Sequence, residues 1–422
     1  MFGQGAWRPA FVLSAVIAVG GMWTPASGAE TITAEGFEHR FIAQELPNPV
    51  SWGYGVSVLA DFNNNGRLDF ATGVRGGDVF WFENPGDDGE WTRHTVGPLA
   101  MRTLGSTGMD VDGNGWADIV VTGYWYHNPG PPDGEEFTRY RYDSRIDNEI
   151  HDIVTADING DGALNVVVLG DRDGCFWYEV PEDPLQDEDW PRHTITMDVL
   201  RDNDGIHGGF FPEGVADLTG NGYPDVVMPD RWYENREQGQ EWVEHPLPFG
   251  GTGPWGLSTR SWVTDLNDNG RPDIVIVDCD MTDSQAAWLE NEGGDPPTFT
   301  RHDLPRTAEG VRGSFHSLAV ADFNGNGLLD IFTVEQEDDV IFPEDATPRW
   351  FIWENQGGDP PRFEERVIFD DELGGHDARI GDITGNGRVD IISKVWKPWE
   401  GNANDGREHV SLLINRRAED DE

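Results

Sequence analysis

Between residues 37 and 416 the chain repeats one rhythm of polar and apolar positions. A polar, oxygen-rich turn is followed by an apolar run, which reads FATGV after the first turn and then IVVTG, VVVLG, VVMPD, IVIVD, IFTVE and IISKV. After a short gap comes an aromatic-rich run ending in or near Glu-Asn: WFEN, WYHN, WYEV, WYEN, WLEN and IWEN. A further run carries a histidine in its middle, as in TRHTV, PRHTI, VEHPL and TRHDL. Short apolar runs bounded by glycine and proline read as strands, and no long helical period competes with them. The turns recur at intervals of roughly fifty to sixty residues, the mark of a propeller or solenoid. With four strands per unit and seven units, the expected fold is all-β: a seven-bladed β-propeller with four antiparallel strands per blade. Phe37-Glu-His39-Arg-Phe-Ile fits the fourth-strand pattern but precedes the first turn, and the last repeat stops after its third strand, His409 to Asn415. The N-terminal strand is therefore expected to fill that gap and close the ring without a free edge.

The turns read DFNNNGRLD, DVDGNGWAD, DINGDGALN, DLTGNGYPD, DLNDNGRPD, DFNGNGLLD and DITGNGRVD. Oxygen-bearing side chains fall at alternate positions, a glycine allows the sharp bend, and a last Asp or Asn closes the turn. Calcium takes six to eight oxygens, and this spacing puts them on one side of a loop. The expected ligands are Asp61, Asn63, Asn65 and Asp69 in the first turn, and Asp110, Asp112, Asn114 and Asp118 in the second. The third and fourth offer Asp157, Asn159, Asp161 and Asn165, then Asp217, Thr219, Asn221 and Asp225. The last three offer Asp265, Asn267, Asn269 and Asp273, then Asp322, Asn324, Asn326 and Asp330, then Asp382, Thr384, Asn386 and Asp390. The alternative is that some are Asx-turns held by their own hydrogen bonds. Either way the turn pins the hairpin between first and second strands, a structural role for several calcium ions of about 10⁻⁴ to 10⁻³ M affinity.

These repeats resemble the FG-GAP or VCBS class, similar to the propeller of integrin α subunits, over about residues 37 to 416. A looser resemblance is to the propeller part of fungal aldos-2-ulose dehydratase, without that enzyme's additional domain. The resemblance implies a calcium-bearing propeller. It leaves the activity open, because the class serves adhesion, carbohydrate binding and some carbohydrate-lyase chemistry.

Residues 1–29 read as a signal peptide: Arg8, an apolar stretch from Ala10 to Trp23, and a small-residue site at Ser27-Gly-Ala29. Residues 30–422 then form one exported propeller domain, secreted, periplasmic or at the cell surface, with no apolar segment long enough to span a bilayer. The formal charge of -49 argues against nucleic acid as a partner. Only two lysines occur, Lys394 and Lys397, and a lysine-poor acidic surface suits a saline setting. Cys175 and Cys279 fall in non-neighbouring repeats and read as buried small hydrophobes rather than a disulfide.

If the calcium turns line one face, the starts of the first strands line the other. Six residues before each turn stand Gly55, Leu104, His151, Phe211, Thr259, His316 and His376, followed in places by Asp152, Arg260, Ser317 and Asp377. The hairpins after the second strands reach the same face with Arg75, Tyr124, Asp171, Arg231, Cys279, Gln336 and Trp396, and with Arg172, Lys394 and Lys397 nearby. His39, His94, His193, His245 and His302 occupy the fourth strand and read as structural, whereas His151, His207, His316 and His376 map to the open face. Arginine grips a carboxylate or sulfate through paired hydrogen bonds, and Trp255, Phe210 and Phe211 are placed to stack on sugar rings. The first reading is therefore a propeller binding a glycan or an extracellular protein there, through Arg75, Asp152, Arg172, His207, Arg231, Trp255, Arg260, Asp377, Lys394 and Lys397. The second is a polysaccharide lyase or sugar dehydratase in which His151, His316, His376 and Tyr124 exchange protons with the substrate. A zinc site on His151, His316 and His376 would need three blades to converge on one ion. Histidines lining one solvent-filled pocket with Tyr124 or Arg231 would favour the enzyme; buried, paired histidines would favour binding or structure.

Overall fold

A computed structural model describes residues 31–32, 35–48, 53–86, 89–130, 137–201, 204–338, 347–398 and 403–417. The expected signal peptide at 1–29 lies outside the described residues. Among the described residues the strands form seven sheets, five of them four-stranded antiparallel meanders. In the third repeat, for example, Ile150–Ala156, Asn165–Gly170, Gly174–Tyr178 and Arg192–Thr196 pair successively. The architecture is a β-propeller of four-stranded antiparallel blades.

Two sheets are larger. Around Gly256–Thr264 the connection expected as a loop at 201–211 instead supplies Asp204–Gly208, which pairs in parallel with Gly256–Thr264, as does Pro212–Glu213. Backbone contact is close here: a Cβ at Gly256 would lie 2.1 Å from the carbonyl of Gly205, and its φ is +128°, so only glycine fits. In the sheet of the last repeat, Phe37–Ala43 pairs antiparallel with Val410–Asn415.

Second strands such as Asn165–Gly170 and Asp273–Asp278 are buried at every residue. Both faces of each sheet are covered, which explains their unbroken apolar runs. Val167, Leu169 and Trp177 of the third repeat pack with Val226, Met228 and Tyr233 of the fourth, so the core lies between sheets rather than within one.

The recurring Glu-Asn and His signals have specific causes. The fourth-strand histidines stack on third-strand tryptophans: His94 on Trp81 at 4.3 Å, His193 on Trp177 at 4.0 Å, His245 on Trp232 at 4.4 Å and His302 on Trp288 at 4.3 Å. Each also meets the glutamate in or directly after its own third strand, at 3.1, 2.9, 2.8 and 2.9 Å respectively. They act within a sheet. The asparagine reaches the neighbouring repeat: Asn128 Nδ2 donates to the carbonyl of Phe62, Asn235 to Ile158, Asn291 to Leu218, Asn415 to Phe323 and Asn84 to Ile383.

Candidate functional site

The polar turns close on themselves through backbone amides. The first carboxylate accepts from the fifth residue and from the glycine, as Asp61 does from Asn65 (3.0 Å) and Gly66 (2.7 Å), and Asp110, Asp157 and Asp265 repeat this. Asp217 and Asp322 do the same, and Asp382 accepts from Gly387. The fifth-position oxygens of Asn65, Asn114, Asp161, Asn221, Asn269, Asn326 and Asn386 each accept from the amide two residues on. At the third position Asn63, Asp112, Asn159, Asn267 and Asn324 do likewise, while the hydroxyls of Thr219 and Thr384 donate to Asp217 and Asp390.

The closing residues are all buried, which among the other oxygen-bearing turn positions is true only of Asn324. Asp69, Asp118, Asp225, Asp273 and Asp330 accept from the amide following the first carboxylate and from that of the third-strand asparagine. Asp390 holds Thr384 and Asn415, and Asn165 holds Ile158. Each closing aspartate thus ties its turn to the third strand, whereas Asn165 holds only Ile158 of its own turn. In the second turn carboxylate oxygens of Asp110, Asp112 and Asp118 still lie within 4.8 Å of one another. Burial pushes Asp118 up to about 8, and Asp112 and Asp110 add to that rise. An all-oxygen set whose carboxylates repel one another fits a hard cation.

At the other end of the first strands, His151, His316 and His376 do converge. The rings of His316 and His376 stack at 3.6 Å, and His151 lies 5.8 Å from His316 and 4.3 Å from His207. His151 Nδ1 is 2.8 Å from Asp152, whose other oxygen accepts from the amides of Gly209 and Phe211. His207 Nδ1 is 2.9 Å from Asp171. Arg260 Nη2 sits 3.1 Å from Asp377 and 3.0 and 3.3 Å from the two nitrogens of His316. Such near-equal distances put the guanidinium over the imidazole face rather than in line with either lone pair. Lys394 donates to the carbonyl of Tyr54 and lies 2.7 Å from His376 Nδ1, which also meets Asp377 at 2.9 Å.

The network is closed to solvent: His151 and His376 are 6 % exposed and His316 1 %. Burial holds His151 and His376 below their ordinary range. Burial also works against the Asp377 carboxylate, but His376, Lys394 and Arg260 outweigh it and hold it low. For His207 the loss of solvent is overcome by the charge and hydrogen bond of Asp171, raising it to about 9. Burial lowers Lys394 to about 8.

Several expected members lie elsewhere. Tyr124 is half-buried under Arg139, 4.7 Å from the guanidinium, and does not join the network. Arg231 is buried against Asp230, with Asp198 and Glu244 nearby. Arg75 donates to the carbonyl of Met101, pairs with Glu149 and lies 5.5 Å from the Trp396 ring. Arg172 is exposed, and Lys397 is half-buried where its amide donates to Glu337. Phe210 and Phe211 are buried and offer no stacking surface, whereas Trp255 is 38 % exposed and stacks on His207 at 6.3 Å. Phe211 lies between Arg260 (5.3 Å) and Arg379 (4.4 Å). Phe211 and Arg379 also line a cavity of about 300 Å³ further along the first strands, with Ile153, Thr107 and Glu213.

The sequence reading passed over Asp280 and Arg379. Asp280 follows Cys279, itself on the hairpin ring, and meets His316 Nε2 at 3.3 Å; the register that located Cys279 stopped one residue short. Cys175 and Cys279 are buried and unpaired, as expected.

Comparison with known proteins finds the FG-GAP-like repeat family at residues 61–121, 110–168 and 265–333. No curated protein matches the chain. A solved structure described as "Crystal structure of BBS1N in complex with ARL6DN, soaked with mercury" aligns over 90 % of this chain and 98 % of that one, at 9 % identity and a TM-score of 0.49.

Proposed function

For a chain that carries FG-GAP-like repeats on a β-propeller, we propose an exported, calcium-stabilised propeller that binds a carbohydrate or extracellular protein through the face opposite its polar turns. The ring is read as seven blades closed by the N-terminal strand. The pairing of Phe37–Ala43 with Val410–Asn415 and the bond from Asn84 to Ile383 support that reading. Calcium in the turns holds the first hairpin of each blade, with Asp110, Asp112 and Asp118 the most highly charged set.

One observation carries the binding reading. Trp255 stands exposed against His207, at the edge of a buried network of His151, His316, His376, Arg260, Asp377 and Lys394. A partly exposed aromatic backed by fixed polar groups is the arrangement that recognises a sugar ring. The lyase or dehydratase reading has less support, because its expected proton carriers are buried and paired and Tyr124 stands apart.

The test is a glycan array and an uronate and ketosugar panel, run with the mature chain in calcium. Glycan binding that Trp255→Ala abolishes, without a change in melting temperature, is expected. Binding that survives Trp255→Ala would overturn the assignment of this face, and new double-bond absorbance in the panel would favour the enzyme.

A further inference from the structure

Asp280 is a buried carboxylate that faces the imidazole of His316 and the thiol of Cys279 rather than an arginine or lysine. It is 4 % exposed, yet among the described residues no arginine or lysine nitrogen reaches it at ion-pair distance. Its Oδ2 accepts from the Ser258 hydroxyl at 2.7 Å, its amide is held by Ser314, and its φ is +56°. The neighbouring buried carboxylates do have such partners: Asp152 and Asp377 face Arg260, and Asp377 also faces Lys394. Buried charges are paired or bind metal, and Oδ1 of Asp280 points at His316 Nε2.

We propose that Asp280, His151 and His316 form a site for a divalent transition metal of the zinc class, separate from the calcium turns. Their ligand atoms lie within 4.8 Å of one another. The 3.3 Å between His316 Nε2 and Asp280 Oδ1 matches the edge of about 3.4 Å between two ligands of a tetrahedral zinc ion. The ligand atom of His151 lies within 4.8 Å of the other two, so it must draw in toward the tetrahedral edge. Asp152 occupies its Nδ1, which leaves Nε2 as the ligand; a carboxylate fixing the far nitrogen is how metal-binding imidazoles are oriented. Nitrogen donors in two of three places favour zinc over calcium.

The set expected from sequence, His151, His316 and His376, is not the one selected. His376 stacks on His316 and directs Nδ1 to the Lys394 ammonium and Asp377, so the alternative grouping with Asp377 already holds its cations. Three protein ligands leave one position open. His207, fixed by Asp171, stands beside His151 and leads to the exposed Trp255. The three ligands are buried, so the fourth position is left to a small molecule such as water, and Trp255 is left to the ligand proposed for this face. The metal test uses no such ligand, so either assignment can fail alone.

The mature chain is stripped with chelator, returned to excess calcium, and equilibrated with zinc alone or cobalt alone before gel filtration and elemental analysis. About one equivalent per chain is expected, with the visible absorption of four-coordinate cobalt. Asp280→Asn, close in shape, and His151→Ala should each lose the metal, and Asp152→Asn should weaken it about 10- to 100-fold. Asp61→Asn, in a polar turn, should leave it unchanged. Failure of the parent chain to retain zinc or cobalt would overturn the site, whatever the variants do. So would retention undiminished in Asp280→Asn and His151→Ala.

Discussion

The side-chain amide of Asn235 donates to the carbonyl of Ile158, 77 residues earlier, at 2.8 Å, and to that of Pro224 at 3.1 Å. Its own oxygen accepts from Gly239 at 2.6 Å, and its backbone amide is held by Asp225. One buried side chain thus joins its own turn to the turn of the preceding repeat. Asn235→Ala strands two carbonyls and an amide, each costing about 1–3 kcal/mol when buried and unpaired. The melting temperature should fall by several degrees with the fold retained, as read by calorimetry and circular dichroism. A change within error would show that the Asn235 side chain does not hold the two repeats together.

Calcium in the polar turns should appear as stability. At free calcium 10 to 100 times the dissociation constant, each occupied turn contributes about 1–3 kcal/mol. Chelation should lower the melting temperature sharply. Asp110→Asn, in the turn with three clustered carboxylates, should shift the calcium dependence to higher concentration. A melt indifferent to chelator would leave the turns as Asx-turns only.

Two histidines at the junction of the chain ends should make the fold acid-sensitive. Burial, helped by His409, draws His39 down to about 3, and burial draws His409 down to about 4. Both stay neutral in the fold while the unfolded chain takes protons below about 6.5. Their contribution is complete above that pH and is lost as pH falls toward 4, by about 1.4 kcal/mol per unit per group. In calcium-saturated buffer His39→Gln should flatten the loss between pH 6.5 and 4, and an unchanged slope would contradict this.

Glu408 acts in the opposite sense. Burial, with Glu337 beside it, raises its carboxyl to about 9, so the folded state keeps a proton that the unfolded chain releases near 4.5. Stability from this group is full below 4.5 and declines as pH rises toward 9. Glu408→Gln should gain in melting temperature relative to the parent as pH climbs across that window. A gain independent of pH would show that shape, not ionisation, is responsible.

The strand pattern, the turn spacing and the four-strand unit were legible in the sequence because each depends on neighbours a few residues apart. The Glu-Asn motif was visible as a repeat, but its reach to the preceding repeat was not. The third repeat shows the cost of reading it locally. Val180 replaces the motif asparagine there and Asn165 replaces the closing aspartate, and elsewhere those two positions are hydrogen-bonded partners, as Asp225 and Asn235 are.

The sequence by itself determined the β-propeller class, the oxygen-rich turns and the clustering of His151, His207, His316 and His376 at one end, since periodicity carries that information along the chain. Only the tertiary structure decided that these histidines are buried, that Tyr124 and Arg231 stand outside their network, and that Asp280 faces His316. Which side chains meet depends on how neighbouring blades are set and on connections such as Asp204–Gly208, which pairs with Gly256–Thr264. Those are contacts between residues tens to hundreds of positions apart, for which a local pattern holds no record.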